Sequence, residues 1–366
     1  MAVSGLHAVI LSYFIFNILF FLKGRFSILR IIITLLILWA FAFITGLTPS
    51  VLRATLMFTF LQTGKLIKRP VNGVNSVLAS AFILILARPS VIFDAGFLLS
   101  YAAVLYIIVF YHDLYQKLKF RHRITDLIWQ SAALTITAQA GTLPLTIMLF
   151  NRFPTYFILT NVIIVPVSSL LIITGCLVPV TFPLVHISGF LAKMTGLLTG
   201  LTEYLTAKAA SLPYATIDGI GLTPFQCILL TASISLLLFF LLRKQGISLI
   251  YPMAAFILLL ISVSVRHYIT ARSDELIVYN IPREPSIGLR TGNRLMFYTE
   301  KDNIPKDVLR HCAILGLKIQ KEPLPPDIQF IRINNHLIMI AGSYEPGLMN
   351  NMNPDIYFHF GEPLSI

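Results

Sequence analysis

Four short polar clusters interrupt an otherwise apolar sequence, and they contain groups that could bind an anion, move a proton or form hydrogen bonds inside a membrane. Strongly polar and ionisable groups are costly at membrane depth, so they indicate either function or internal packing. The clusters carry an imidazole, an arginine, an aspartate and several hydroxyl and amide groups. They lie at 4–7, 49–53, 93–100 and 139–144, the last followed by Asn161 and Pro166. Together they predict a polar interior among apolar helices.

Each ionisable member of these clusters also has a structural interpretation. Arg53 can extend its guanidinium to the nearby interface, and His7 near a helix start is typical of a hydrogen-bonded structural group. Asp94 can pair with Arg53 or with Arg88, which lowers the cost of burying its charge. The sequence spacing of these polar residues does not indicate a nucleophile next to a general base and an orienting group, so no catalytic residue is predicted. A membrane hydrolase that uses His7 and Asp94 is the weakest alternative.

The sequence gives no basis for a metal or cofactor site. The histidines of the C-terminal part are far apart and lack metal-ligand spacing, namely His311, His336 and His359. The three cysteines form no CxxC pair, and two of them lie in apolar runs. We therefore expect no metal, no cofactor and no enzymatic activity.

The composition divides the chain into two parts. Hydrophobic residues make up 56% of the 366 positions and charged residues only 12%, whereas a soluble domain typically has about 25% charged residues. Residues 1–269 carry 18 Lys or Arg and 5 Asp or Glu, and residues 270–366 carry 10 and 11. We predict a membrane domain over 1–269 and a small soluble domain over 270–366.

The first part is predicted to be an all-α polytopic membrane domain with about ten membrane segments, some of them broken or re-entrant. Apolar stretches that approach the length of a crossing helix occur at 4–22, 31–47, 51–64, 73–87, 91–111, 125–150, 155–179, 184–210, 221–242 and 248–268. Pro49 can start a helix, with Ser50 as its cap. Pro144 and Pro166 free backbone carbonyls at membrane depth, which protein or a water-filled cavity must satisfy. Breaks of that kind often surround transport sites.

The distribution of basic residues predicts the topology. Basic clusters lie at 23–30, 65–69, 117–123 and 243–244. If all ten segments cross, these clusters share one side, which the positive-inside rule assigns to the cytoplasm. Both termini, and the C-terminal domain with them, are then predicted to be extracytoplasmic.

The C-terminal part is predicted to be a small α+β domain. Strands are expected at 276–279 and 295–298 around a turn that contains Gly and Asn, and a helix at 305–317. A hairpin is expected from 327–333 and 336–341 across two asparagines.

The polar clusters, in this order, resemble the membrane competence domain of the ComEC family, the inner-membrane DNA channel of natural transformation. The resemblance covers most of residues 1–240. The matching stretches are AVSGLH at 2–7, PSVLRATLMF at 49–58, KRPVNGVNSVLASAFILIL at 68–86, RPSVIFDAGFLLSYAAVL at 88–105, QAGTLPLTIMLFNRFP at 139–154 and TNVIIVPVSSL at 160–170. Family members usually have an OB-like domain and further spans upstream of the SGLH element, where this chain begins. Many end in a metallo-β-lactamase-like domain, and residues 270–366 have the position and strands of a remnant that lacks its metal motif.

The resemblance implies an inner-membrane channel component that moves single-stranded DNA into the cytoplasm. It implies phosphate contacts from Arg53 and Arg88 near the outer mouth. The remaining side chains of the polar interior would be Ser4, His7, Ser50, Asp94, Ser100, Gln139, Thr142 and Asn161. Implied partners are single-stranded DNA, membrane lipid, a DNA receptor, a cytoplasmic motor and further copies of the chain.

Two other classes of protein remain open. One is a transporter of a smaller anion or lipid built on similar helices. The other is a non-catalytic membrane assembly subunit, in which the polar clusters hold helices together. The sequence contains no nucleotide-binding loop, so the energy for transport would come from another protein or gradient.

Overall fold

The structure, a computed structural model, describes residues 5–21, 26–66, 72–243, 246, 248–281, 286–299, 303–323, 329–333, 336–341 and 355–359. Each predicted apolar segment corresponds to one helix of this described part. The helices are α1 Gly5–Ile18, α2 Ser27–Ile44, α3 Pro49–Leu66, α4 Gly73–Ala87, α5 Ala95–Lys117, α6 Arg123–Phe150, α7 Phe157–Val180, α8 Val185–Ala210, α9 Pro224–Arg243 and α10 Ile250–Ala271. A short 3₁₀ helix at Pro89–Phe93 precedes α5.

Six of these helices are long and apolar enough to cross a membrane, namely α2, α5, α6, α7, α9 and α10. Helix α4 is apolar but has only 15 residues, fewer than the about 20 of a typical crossing. The protein is therefore a multi-pass membrane protein. The count of about ten crossings is not confirmed by length and composition.

Two expectations about prolines need correction. Helix α6 continues through Pro144, and α7 continues through Pro166, so neither helix ends where a break was expected. Neighbouring groups and small local adjustments can satisfy the carbonyls that a proline frees. Helix α3 does begin at Pro49, which suits the first helical position. Ser50 therefore lies inside the first turn and is not the cap.

The chain forms two compact units. The first consists of Met1–Leu149, Phe153–Ile217 and Ile234–Pro252, and the second of Phe150–Arg152, Asp218–Ser233 and Met253–Ile366. Near these boundaries, the short strands β1 Arg152–Pro154 and β2 Thr216–Asp218 form a two-stranded sheet.

Helix α3 is the centre of the first unit, because it contacts α1, α2, α4 and α5. Helices α7 and α8 pack along each other, and α1 also contacts α7. Two buried apolar clusters hold α3 in place. One joins α2 to α3 through Leu38, Ala42, Val51 and Ala54. The other joins α4 to α5 through Val77, Leu84, Phe97 and Tyr101, and Leu52, Leu56 and Met57 of α3 pack against it.

The described part of the second unit contains two small sheets. The first sheet has the order β3 Asp274–Val278, β4 Ile287–Thr291, β5 Arg294–Tyr298 and β6 Lys318–Glu322, with only the β5–β6 pair parallel. Helix α11, Lys306–Leu315, connects β5 to β6. The second sheet has the order β7 Gln329–Ile333, β8 His336–Ala341 and β9 Ile356–His359.

The predicted hairpin is the antiparallel β7–β8 pair. The two strands expected earlier in this part are not direct neighbours, because β4 lies between β3 and β5. Strands β4, β6 and β9 were not predicted. Strand β6 has the sequence KIQKE, which carries little of the β-branched and aromatic signal of a strand.

The core of the first sheet packs against α11. Leu295, Phe297, Val308 and Cys312 are buried together. Helix α11 ends at Leu315, and its C-cap Gly316 has a left-handed φ of 71° and lies directly against the His267 ring of α10. A side chain at this position would meet both the conformational cost of positive φ and the imidazole.

His311 on α11 should make the second unit sensitive to acid. Its Nδ1 lies 2.8 Å from the Tyr279 hydroxyl. Burial lowers the pKa of His311 below its ordinary value of 6.5, nearby Arg290 lowers the pKa further, and Glu275 opposes this. The unfolded chain therefore binds the proton more readily than the folded unit. Stability should be complete above about pH 6.5 and decline as the pH falls towards the lowered pKa, by about 1.4 kcal/mol per unit of pKa depression.

The measurement is the urea midpoint for exposure of Cys312 in the detergent-purified full chain. Burial raises the pKa of Cys312 to about 11, so the folded unit protects a thiol that a short maleimide pulse at fixed pH labels after unfolding. The midpoint should fall between pH 7 and pH 5. His311→Gln should remove most of this decrease, and an equal decrease in that variant would contradict the assignment.

Candidate functional site: a buried arginine at the start of a membrane helix

Arg53 lies in the second turn of α3, within the apolar interior of the first unit. Its side chain is only 7% exposed. Helix α3 starts at Pro49, so Arg53 lies near one end of the helix and not at its middle. The positive charge is nevertheless enclosed by packed helices, which a snorkelling arginine would avoid. The interpretation that Arg53 extends to the interface is therefore not supported by this packing.

Asp94 stands at the start of α5 and faces Arg53. Its side chain accepts a hydrogen bond from the Phe97 backbone N–H at 2.8 Å, so Asp94 is the N-cap of α5. A carboxylate suits this position because it satisfies a free N–H and interacts favourably with the helix dipole. The cap also explains why α5 begins later than the predicted segment at 91–111.

The structure selects Arg53 over Arg88 as the partner of Asp94. The Arg53 Nη1 and Asp94 Oδ1 atoms are 3.9 Å apart, while the exposed Arg88 donates to the Ser90 hydroxyl at 3.3 Å. Gly96 makes room for this pair. A Cβ atom on Gly96 would lie 3.0 Å from Asp94 Oδ1 and 3.2 Å from Arg53 Nη2.

The ion pair leaves the arginine incompletely satisfied. Asp94 is 43% exposed and too distant for a hydrogen bond to Nη1. The Nε and Nη1 atoms of Arg53 are buried and have no hydrogen-bond partner among the described residues. Unsatisfied buried donors of a charged group cost free energy, so the local packing holds Arg53 in a state that could accept oxygen ligands.

A row of buried polar oxygens follows a different face of α3. The oxygen atoms of Thr48, Thr55 and Gln62 are buried without a hydrogen-bond partner among the described residues. Thr48 immediately precedes α3, and the seven-residue spacing places Thr55 and Gln62 on one side of the helix. These three residues were not predicted as site residues, although their seven-residue spacing is a feature of the sequence.

The structure brings together only some of the predicted site residues. Ser4 lies outside the described residues, and His7 is in α1 with a side chain that is not described. Ser100 lies on α5, half-buried. Gln139 and Asn161 are half-buried on α6 and α7. No hydrogen bond between described residues joins their side chains to the Arg53–Asp94 pair.

Thr142 and Gly141 have structural roles on α6. The Thr142 hydroxyl donates to the Ala138 carbonyl of its own helix at 3.1 Å. Gly141 is the point of close contact with α5, because a Cβ atom there would lie 2.8 Å from the Ala102 carbonyl oxygen and 2.7 Å from the Tyr106 ring. The QAG sequence was singled out as polar, and the structure shows that its glycine permits helix packing.

No group of three or more His, Cys, Asp or Glu residues that could hold a metal ion occurs in the part of the chain that the structure describes. The site therefore consists of one buried guanidinium, one partly exposed carboxylate and neutral oxygen atoms. Such a set binds an anion or a solvated polar chain through hydrogen bonds and charge.

The fold and this site define a multi-pass membrane protein with a buried, incompletely paired arginine between its helices. The chain belongs to the Competence protein family, whose model matches residues 1–245. This confirms the resemblance predicted from the separated motifs. The chain is 32% identical over 178 residues to ComE operon protein 3 of Bacillus subtilis (strain 168), a match that covers 48% of this chain and 22% of that protein. No solved structure matches the chain.

Proposed function

We propose that this chain is an inner-membrane component that moves single-stranded DNA into the cytoplasm during natural transformation. The single observation that carries the proposal is the buried Arg53, whose Nε and Nη1 atoms have no hydrogen-bond partner among the described residues. Membership of the Competence protein family supports DNA as the substrate class. The matched part of the Bacillus relative is a minority of that protein, so the activity of the whole relative enters here as part of the proposal.

The chemistry of Arg53 suits a transported polyanion. A guanidinium offers several N–H donors in a fixed plane and can contact phosphate oxygens in a bidentate manner. Phosphate contacts carry no sequence information, as transport of arbitrary DNA requires. A single arginine held loosely by Asp94 would bind each phosphate briefly. Strong cationic contacts to the phosphates from both sides of the DNA strand would instead hold the strand in place.

The buried position of Arg53 requires a conformational change. With 7% exposure, the guanidinium meets a phosphate only after α3 and the start of α5 separate. The 3.9 Å contact to the partly exposed Asp94 is a weak restraint on that opening. The buried oxygens of Thr55 and Gln62 lie further along α3 on a different face of the helix, so contact with the strand would require this face to open as well.

The proposed topology has about ten crossings, both termini outside the cytoplasm, and the C-terminal domain on the extracytoplasmic side. The basic clusters of the sequence support it. In this arrangement Arg53 and Asp94, at the starts of α3 and α5, lie near the outer face where DNA enters. Arg88 precedes α5 on the same side and is exposed, so it would make the first phosphate contact.

The proposed role needs other components. We propose a DNA receptor on the outer side, a cytoplasmic motor that supplies energy, and assembly of several copies of the chain. The protein itself is proposed to act without catalysis. His7, Ser100, Gln139 and Asn161 would line the wet path after opening.

Cells that lack the gene should capture labelled DNA on their surface normally but fail to deliver it to the cytoplasm. Surface uptake and cytoplasmic delivery must be scored separately in the same culture, with the wild-type gene restored as control. If both steps are unchanged in the deletion strain, the proposal is wrong, and transport of a smaller solute or a role in assembly becomes the better explanation.

A further inference from the structure

The second unit contains a cavity of about 370 Å³ that the proposed DNA path does not use. It lies between the first turn of α9, the last turns of α10 and the beginning of the first sheet. The polar side chains that line it include Gln226, Ser262, Arg266, Thr270, Glu275 and Arg290. Gln226 is only 1% exposed, and its Nε2 donates to the Ser262 hydroxyl at 3.3 Å.

The two arginines of this cavity differ in their hydrogen bonding. Arg290 is satisfied, because it donates to Glu275 at 3.0 Å, to the Thr270 carbonyl at 2.7 Å and to the Gly292 carbonyl at 3.2 Å. Arg266 donates from Nη2 to the Gly221 carbonyl at 3.1 Å. Its Nε and Nη1 atoms are buried and have no hydrogen-bond partner among the described residues.

The lining therefore has one positive charge in excess. Among the described residues that line the cavity, Glu275 is the only acidic one, and it already pairs with Arg290. The unpartnered Nε and Nη1 of Arg266 point to an anion with one negative charge and several oxygen acceptors, because these two N–H groups point in different directions and each needs an acceptor of its own. A phosphodiester group has this chemistry, and Ser262 and Thr223 supply neutral hydroxyls for its remaining oxygens.

The position of the cavity indicates where the phosphodiester comes from. Helices α9 and α10 are both long and apolar enough to cross a membrane, and the cavity lies where α9 begins and α10 ends. Its lining also includes Val265 and Ile269, which are 51% and 59% exposed. Leu258 and Ile261, one to three turns earlier on α10, are likewise exposed. A lipid whose headgroup binds at Arg266 would thus have its acyl chains next to this exposed apolar surface.

We propose that this cavity binds the phosphodiester headgroup of an anionic phospholipid, with the acyl chains along the exposed face of α10. The bound lipid supplies the missing acceptors of Arg266 once this side chain turns into the cavity, because its Nε and Nη1 atoms are buried without the ligand. This inference is independent of the proposed DNA transport, because it concerns other residues and another ligand.

The test measures binding of dioleoyl phosphatidylglycerol to the detergent-purified full chain by native mass spectrometry. Wild-type protein should retain one lipid molecule tightly, and Arg266→Gln should weaken its binding about tenfold or more, since a charge-assisted contact is lost. The matched control is Arg272→Gln, which removes an exposed charge just beyond the end of α10. The Arg272 guanidinium stacks on the Tyr268 ring and does not line the cavity. This control should bind the lipid as the wild type does.

A second variant keeps the test valid if Arg266→Gln folds poorly. Ser262→Leu retains every charge but fills part of the cavity, and it should also weaken binding about tenfold. Equal weakening by Arg266→Gln and Arg272→Gln would overturn the proposal, because it would indicate general surface charge. Full displacement of the lipid by millimolar inorganic phosphate would overturn it in favour of a free-anion site. Displacement by a single-stranded oligothymidylate at micromolar concentration would overturn it in favour of nucleic acid.

Discussion

Replacing Arg53 with methionine is expected to lower the transformation frequency by about 10- to 100-fold while the amount of folded protein stays the same or increases. The side chains have similar reach, so the main change is loss of a charged donor. In the folded protein this donor has two buried nitrogens without a partner and one distant carboxylate. Asp94 remains after the substitution, but it is 43% exposed and is also the N-cap of α5, so water can solvate its charge. Loss of two unsatisfied buried donors should therefore offset loss of the long ion pair.

Opposite effects on function and stability would identify Arg53 as part of the transport path. A residue needed only for packing should lower both together. The measurements are transformation frequency in naturally competent cells that carry the variant, and the thermal midpoint of the purified protein. A normal frequency in Arg53→Met would remove Arg53 from the proposed path.

Arg30→Met is a suitable control for this experiment. Arg30 is also half-buried among membrane helices, but its guanidinium is satisfied: Nε donates to the Phe16 carbonyl at 2.8 Å, and the group lies 3.6 Å from the centre of the Phe16 ring. Its removal should lower stability. The transformation frequency per folded molecule should change little, in contrast to Arg53→Met.

Replacing Gly141 with alanine is expected to destabilise the first unit by about 1–3 kcal/mol, the usual cost of overpacking. The added methyl group would contact the Ala102 carbonyl oxygen and the Tyr106 ring at less than 3.0 Å. The tyrosine ring has little freedom to move away, because its hydroxyl lies 2.5 Å from the Ser235 hydroxyl. The backbone carbonyl cannot yield without separating α5 from α6. The thermal midpoint of the purified protein and its level in membranes should both fall.

Gly196→Ala, on another helix of the same unit, is expected to raise stability where Gly141→Ala lowers it. Gly196 lies inside α8, and a Cβ atom there would meet no atom within 4 Å. Alanine should stabilise this helix by up to about 1 kcal/mol through its higher helix propensity. If both substitutions changed the midpoint in the same direction, close approach at Gly141 would not be the cause of its effect.

The sequence by itself determined the features that depend on local chain properties. A shortage of charge and long apolar stretches predicted the membrane class and the positions of the helices, because both follow from hydrophobic length. Pro49 predicted the start of α3 for a similarly local reason. The β7–β8 hairpin was predictable because its two strands are adjacent in sequence. Several separated motifs were also sufficient to predict the family that the comparison confirmed.

Only the tertiary structure decided which residues meet. Asp94 could pair with Arg53 or with Arg88, and the packing of α3 beside the start of α5 selected Arg53, 41 positions away in the sequence. The expected breaks at Pro144 and Pro166 were wrong, because the neighbours that compensate a proline are not visible in the local sequence. The unsatisfied donors of Arg266 likewise became visible only when α10, the loop before α9 and the first sheet were placed together. Helix formation is a local property of the chain, whereas burial and pairing of a charge depend on contacts between distant segments.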